Sequence, residues 1–221
     1  MSGPVLRWMH SNNLIVKSEF ITPWGKCDLV GLSFKKRNVA ARLKLGQKRS
    51  VSSLTGSALL ARIPDVETGE FITFKYLVEQ CAQIICEEVI FEQTQRLIAD
   101  GFVLSKGNRL QRLNGWVPLH KQLIAVELKL NRVEEAISQA RNNLIFADKS
   151  YVGLPMDLAV RLAAHGIRRM SFIDSGVGLL SVNRGKCEVL IPSIKRPSPR
   201  RNPVIQFYCV EKFWRTCPKD N

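Results

Sequence analysis

The stretch "LIAVELKLNRVEEAISQA", Leu123 to Ala140, constrains this chain more than any other. Leu123, Ile124, Ala125, Val126, Leu128 and Leu130 read as a buried strand, yet Glu127 and Lys129 interrupt it. A charge buried without a partner costs several kcal/mol, so the two need an explanation. Side chains alternate along a strand, which puts Ile124, Val126, Leu128 and Leu130 on one face and Ala125, Glu127, Lys129 and Asn131 on the other. Glu127 and Lys129 therefore stand side by side. Either they form a structural ion pair, or a metal and a substrate phosphate account for them.

The second explanation needs another acid. "LIVKSEFI" (Leu14 to Ile21) and "KCDLVGLSF" (Lys26 to Phe34) read as two strands joined by "TPWG", whose Pro23 and Gly25 supply turn chemistry, so an antiparallel hairpin carrying Asp28 is expected. Mg²⁺ takes hard oxygen ligands, keeps several waters and needs only one or two carboxylates. Asp28 and Glu127 can supply those, and the main-chain carbonyl of Leu128 a third oxygen. Lys129 can then orient or deprotonate a water and offset phosphate charge, an arrangement suited to phosphodiester hydrolysis. Each signal is weak alone: E-x-K is common as an ion pair, and aspartate is common beside turns.

Composition narrows the partner. The formal net charge of +14 favours a polyanion, nucleic acid before an anionic membrane. No apolar run approaches the ~18 residues a membrane span needs, and "MSGPVLRWMH" lacks the apolar core of a secretory signal, so a soluble, cytoplasmic protein is expected. The six cysteines form no C-x-x-C pair and the three histidines are scattered, which leaves zinc spacing absent and favours reduced thiols.

Between the hairpin and the E-x-K strand the texture changes. "KKRNVAARLKLGQKRSVSS" is basic and aperiodic, and reads as a linker or exposed edge. Residues 51–116 then show three helical patterns, the second capped by Thr73 and the third stopped at Gly101, followed by a hairpin turning at Gly107-Asn108. Three helices and a hairpin resemble a winged helix. This segment holds six Lys/Arg against eight Asp/Glu, a net −2, so the rest of the chain carries +16. Glu87, Glu88 and Glu92 on its third helix are poor company for phosphates, and open the alternative of a protein partner met through the acidic helices. Its hairpin is basic, with Lys106, Arg109 and Arg112 as candidate DNA contacts.

After the E-x-K strand, an amphipathic helix is expected over 132–147, a short strand in "SYVGLP", a helix stopped at Gly166, a strand in "RRMSFID", and a hairpin in "GLLSVNRGKCEVLIP". The end, including Arg196, Arg200 and Arg201, reads as an exposed basic tail over 196–221.

Taken together, "TPWGKCDLVGLSF", "IAVELKLNRVEEAISQARNNLIFADKSYVGLP" and "GVGLLSV" resemble the PD-(D/E)XK nuclease superfamily, over about half the chain. The resemblance implies an α/β fold, a restriction-endonuclease-like mixed sheet flanked by helices. That core is formed by residues 1–36 and 117–195, with the winged-helix-like subdomain inserted between them. By position it implies Asp28 and Glu127 as ligands of Mg²⁺ (or Mn²⁺) and Lys129 as assistant to the attacking water. Gln139 falls where some members place a polar residue near the site, and Glu19 could serve as an auxiliary acid. Duplex cleavage by this fold commonly uses two active sites, which makes a homodimer an expectation. The chain departs from the pattern in having Cys27 where proline often precedes the aspartate, about a hundred residues between Asp28 and Glu127, and room for at most two turns of leading helix before Leu14. Lys35, Lys36 and Arg37, just after the hairpin, are further candidate DNA contacts, although solvated surface has the same composition. The expected function is a Mg²⁺-dependent DNA endonuclease. The alternatives are an inactive DNA-binding regulatory or assembly protein and an RNA-binding scaffold.

Overall fold

The structure is a computed structural model that describes residues 1–113, 117–194 and 201–216. In chain order the elements are α1 (Ser2–Ser11), β1 (Ile15–Thr22), β2 (Gly25–Phe34), α2 (Lys36–Lys44), α3 (Leu54–Arg62), β3 (Ile72–Thr73), α4 (Phe74–Cys81), α5 (Glu87–Ala99), β4 (Val103–Lys106) and β5 (Arg109–Arg112). They continue with β6 (His120–Leu128), α6 (Val133–Asn143), β7 (Lys149–Pro155), α7 (Met156–Ala164), α8 (Gly166–Ser175), β8 (Gly178–Val182), β9 (Cys187–Ile191) and α9 (Pro203–Glu211). They form two compact units: Met1–Ser33 with His120–Gln206, and Phe34–Leu119 with Phe207–Asn221.

The first unit is a mixed α/β layer structure. Its six-stranded sheet has the order β1-β2-β6-β7-β8-β9, antiparallel at the β1–β2 and β8–β9 hairpins and parallel along β6–β7–β8. Helices cover both faces. Val5 and Met9 of α1 pack with Leu29, Ile124, Val126 and Leu180, while Ala136, Ile137 and Ala140 of α6 pack with Val152, Leu154, Ala159 and Phe172. The parallel strands are buried on both sides and read as near-continuous apolar runs for that reason. The leading helix α1 is ten residues long, nearly three turns, and longer than the sequence left room for. "RRMSFID" is not a strand: it lies in α8, which starts at Gly166 behind the His165 cap and ends at Gly176 in the left-handed region.

In the second unit, α3, α4 and α5 pack around Leu59, Leu60, Ile63, Leu77, Ile90, Leu97 and Phe102. They rest on a small antiparallel sheet, β3-β5-β4. The Thr73 hydroxyl accepts from the Tyr76 N–H at 3.1 Å and fixes the start of α4, and Gly107, at φ +59°, makes the turn between β4 and β5.

Two basic segments differ from expectation. Residues 36–44 form α2 rather than a linker, and 203–211 form α9 rather than an irregular tail, with Phe207, Cys209, Val210, Phe213 and Trp214 buried. The second unit thus takes in residues 34–50 and 207–216 beyond the 51–113 part of the expected module. What joins them is Arg42, buried to 4% exposure. Its guanidinium lies 3.9 Å from the Trp214 ring centroid and 4.9 Å from that of Phe102, with Nη2 3.0 Å from Glu211 Oε2 and Nη1 on Glu211 Oε1. Glu211 Oε2 also accepts from the Val51 N–H at 2.8 Å. Arg196 and Arg200 lie outside the described residues, and Arg201 is no free tail cation, since its Nη1 stands 3.4 Å from buried Asp148.

Removing one member of a buried pair strands the other. Arg42→Met or Glu211→Met alone is expected to destabilise the second unit by about 3–5 kcal/mol. The double substitution should cost clearly less than the sum, as urea unfolding of the four proteins will show.

Candidate active site

Pairing of β2 with β6 builds the site. The two strands are neighbours in the sheet, and Asp28 on β2 accepts through Oδ2 from the Leu128 N–H of β6 at 2.7 Å. The alternation expected of β6 holds: Ile124, Val126 and Leu128 pack on the α1 side, and Glu127 turns to α6.

Glu127 is buried to 2% exposure. Its Oε1 accepts from Asn143 Nδ2 on α6 at 2.7 Å, and the same amide lies 3.4 Å from Cys27 Sγ. Burial pushes the Glu127 carboxyl above its ordinary range, and the negative charge of Asp28 adds to the push. Asn143, the Cys27 thiol and, least, Lys129 pull the other way. Burial, reinforced by the charge of Glu127, also raises the Cys27 thiol well above its usual range, so it packs as a neutral group.

Lys129 does not pair with Glu127. Its Nζ stands 3.6 Å from Glu135 Oε1 on the first turn of α6. Glu135 is shared: its Oε2 meets Arg132 Nη1 at 3.0 Å, and its Oε1 accepts from Gln139 Nε2 at 3.3 Å. Gln139 Oε1 is left buried with no hydrogen-bond donor among the described residues. Lys129 thus shares a counter-ion with Arg132, and Glu127 has a neutral amide.

Glu19 joins the group from β1. The pairs Ser18↔Leu29 and Phe20↔Cys27 bracket it, leaving Glu19 opposite Asp28 across the hairpin, at φ +49° in the left-handed region. A left-handed backbone is unfavourable at a non-glycine residue. Glu19 is exposed and meets Lys26 Nζ at 3.0 Å. A cleft of about 430 Å³ opens here, lined by Ser18, Glu19, Asp28, Leu128 and Lys129 among others.

The structure thus brings together Asp28, Glu127, Leu128, Lys129, Glu19 and Gln139. Sequence reasoning missed Asn143 and Glu135. Glu135 carries a signal, standing four residues before Gln139 on one helical face; Asn143 carries none, because a polar residue near a helix end is ordinary. Among the described residues no group of three His, Cys, Asp or Glu side chains is disposed to hold a metal. The donor set that suits Mg²⁺ is the smaller one of two carboxylates and a carbonyl.

The expected DNA contacts belong to the second unit. Lys35, Lys36 and Arg37 are exposed where α2 begins, a position that ordinarily favours acids and here has none in its first turn. Lys106 and Arg109 are exposed on the β4–β5 hairpin, with Arg109 4.1 Å from the Phe71 ring centroid. Arg112 does not face outward. Its Nη1 donates to the Leu60 carbonyl at 3.1 Å and its Nε lies 3.6 Å from Asp65 Oδ2, so it braces the fold. Among the described residues Cys27, Cys81, Cys86, Cys187 and Cys209 are free thiols, and no helix is long and apolar enough to cross a membrane.

No family model matches this chain, and no curated protein does. Among solved structures it is similar to a protein of unknown function from Silicibacter pomeroyi, at 12% identity and a TM-score of 0.41, covering 96% of this chain and 84% of that one. A likeness at that level assigns neither fold nor function.

Burial sets the sign of a pH effect. With the folded-state pKa of Glu127 raised above its ordinary 4.5, the folded protein holds more protons than the unfolded one in the window above 4.5, and stability falls as pH rises through it. Glu127→Gln keeps an oxygen for Asn143 and removes the charge. It is therefore expected to be more stable than wild type at neutral pH, with the advantage vanishing below about pH 4. Urea unfolding of both proteins across that range checks it. An advantage that grew on acidification would show that Asn143 and Lys129 outweigh burial.

Proposed function

We propose that this protein is a Mg²⁺-dependent DNA endonuclease, with a restriction-endonuclease-like first unit and a winged-helix-like second one. The observation that carries the reading is the meeting of Asp28, Glu127 and Lys129 on the paired strands β2 and β6, with Asp28 and Lys129 at the cleft. In the second unit, the order α3, β3, α4, α5, β4, β5 with sheet order β3-β5-β4 supports the winged-helix reading of the module.

Asp28, Glu127 and the Leu128 carbonyl would hold Mg²⁺ or Mn²⁺. When bound there, the ion would supply Lewis-acid chemistry, polarising a phosphate and lowering the pKa of a water. Glu127 suits a cation as partner, since a buried carboxyl that resists ionisation alone gives up its proton when positive charge arrives. Lys129, held from behind by Glu135, presents an ammonium that offsets charge on the scissile phosphate and orients the attacking water. Gln139 donates to Glu135 and so acts behind Lys129 as a positioning residue. Lys35, Lys36, Arg37, Lys106 and Arg109 supply phosphate contacts, which position the duplex without reading its sequence. The outward side of α5, with Glu87, Glu88, Glu92 and exposed Phe91, suits a protein partner better than DNA.

Plasmid DNA incubated with Mg²⁺ or Mn²⁺ is expected to be nicked, and EDTA to stop it. Glu127→Ala and Lys129→Ala should each lower the rate by about a hundredfold or more while duplex affinity in EDTA stays near wild type. Robust cleavage by both variants would sink the nuclease reading. Binding without nicking by the wild type would leave a DNA-binding regulatory protein on the same fold.

A further inference from the structure

A second cleft, of about 480 Å³, lies wholly within the second unit, among Lys48, Arg49, Ser50, Ser52, Arg96 and Arg215, with Asp100 as the acid that lines it. The loop forming one wall is pinned from beneath. Arg42 Nε donates to the Gln47 carbonyl at 3.2 Å, Arg42 Nη2 to the Arg49 carbonyl at 2.6 Å, and Trp214 Nε1 to the Lys48 carbonyl at 2.8 Å. The Val51 N–H is held by Glu211 at 2.8 Å. Three successive carbonyls are thus tied to the buried Arg42 and Trp214 side chains, while Lys48, Arg49 and Ser52 are exposed. Arg49 reaches Asp100 at 3.5 Å and Arg96 pairs with Glu92, whereas Lys48 and Arg215 have no acidic partner among the described residues.

A rigid wall with its acceptors turned inward, lined by four cations and two hydroxyls against one carboxylate, matches one ligand chemistry. Ammonium, guanidinium and hydroxyl donors fit phosphate oxygens. We propose that this cleft is a phosphate-binding site that takes the phosphodiester backbone of duplex DNA. It gives the second unit a DNA-facing surface apart from Glu87, Glu88 and Glu92 of α5, while Arg96 in the last turn of that helix lines the cleft. The proposal goes beyond the nuclease reading and needs neither metal nor cleavage.

The test is binding of a 20-base-pair duplex by fluorescence anisotropy in EDTA, from 50 to 200 mM NaCl, for wild type, Lys48→Ala/Arg215→Ala, and the charge-matched control Arg62→Ala/Lys75→Ala. Each phosphate contact contributes a slope of about −0.9 in log affinity against log salt. Over that fourfold range, wild type should therefore lose about tenfold more affinity than the cleft variant, and the control should behave as wild type. An unchanged slope in the cleft variant, or an equal change in the control, overturns the proposal. A readout on the unaltered protein is independent of the variants. Inorganic phosphate should shift the Ser50 and Ser52 amide resonances, and their indifference would also overturn it. Because EDTA is present throughout, failure of Mg²⁺-dependent nicking and failure of this site are separate results.

Discussion

Glu127 is a carboxylate in the middle of an apolar strand, and the first unit is arranged around that fact. A buried acid must be neutral, paired or hydrogen-bonded. Its nearest help is not a cation but the Asn143 amide, which reaches back from the end of α6. That bond fixes the rotation of α6 over β6 and brings Glu135 and Gln139, on the same helix, over Lys129. A lysine paired directly with Glu127 would neutralise it inside the protein. Here the acid meets an amide, and the lysine meets Glu135, which it shares with Arg132.

In the second unit Arg42 has the corresponding role. Its guanidinium stacks on Trp214 and Phe102, pairs with Glu211, and binds two loop carbonyls. Planar, permanently charged and multiply donating, arginine can be a core residue in a way lysine cannot. One side chain thereby connects α2 and the adjoining 47–51 loop to α9, whose Glu211 lies 169 residues further along the chain.

That chemistry also explains what the sequence conceals. The hairpin carrying Asp28, the alternation of Glu127 and Lys129 and the Thr73 cap are local rules, and were legible. α2 was not, because its buried face is Val39 and Arg42, and a periodicity whose core member is a charge does not register as apolar. α9 was masked by the prolines and arginines before it and by Glu211, whose burial depends on a residue 169 positions away. α8 was read as a strand because "MSFI" is a short apolar run, too short for periodicity to separate strand from helix. Only Phe172 of α8 is buried, while Ile167 is 80% exposed. Arg112 looked like a surface cation because nothing local announces Asp65 or the Leu60 carbonyl.

Glu19 shows how much a position can cost and still be informative. Its backbone is left-handed, a conformation costing a non-glycine residue about 1–3 kcal/mol. Glycine would remove that penalty. The pairing with Lys26 is exposed on both sides and so contributes little against it. Neither packing nor secondary structure calls for an acid there. What an acid does at that point is put a second carboxylate beside Asp28 on the lining of the cleft.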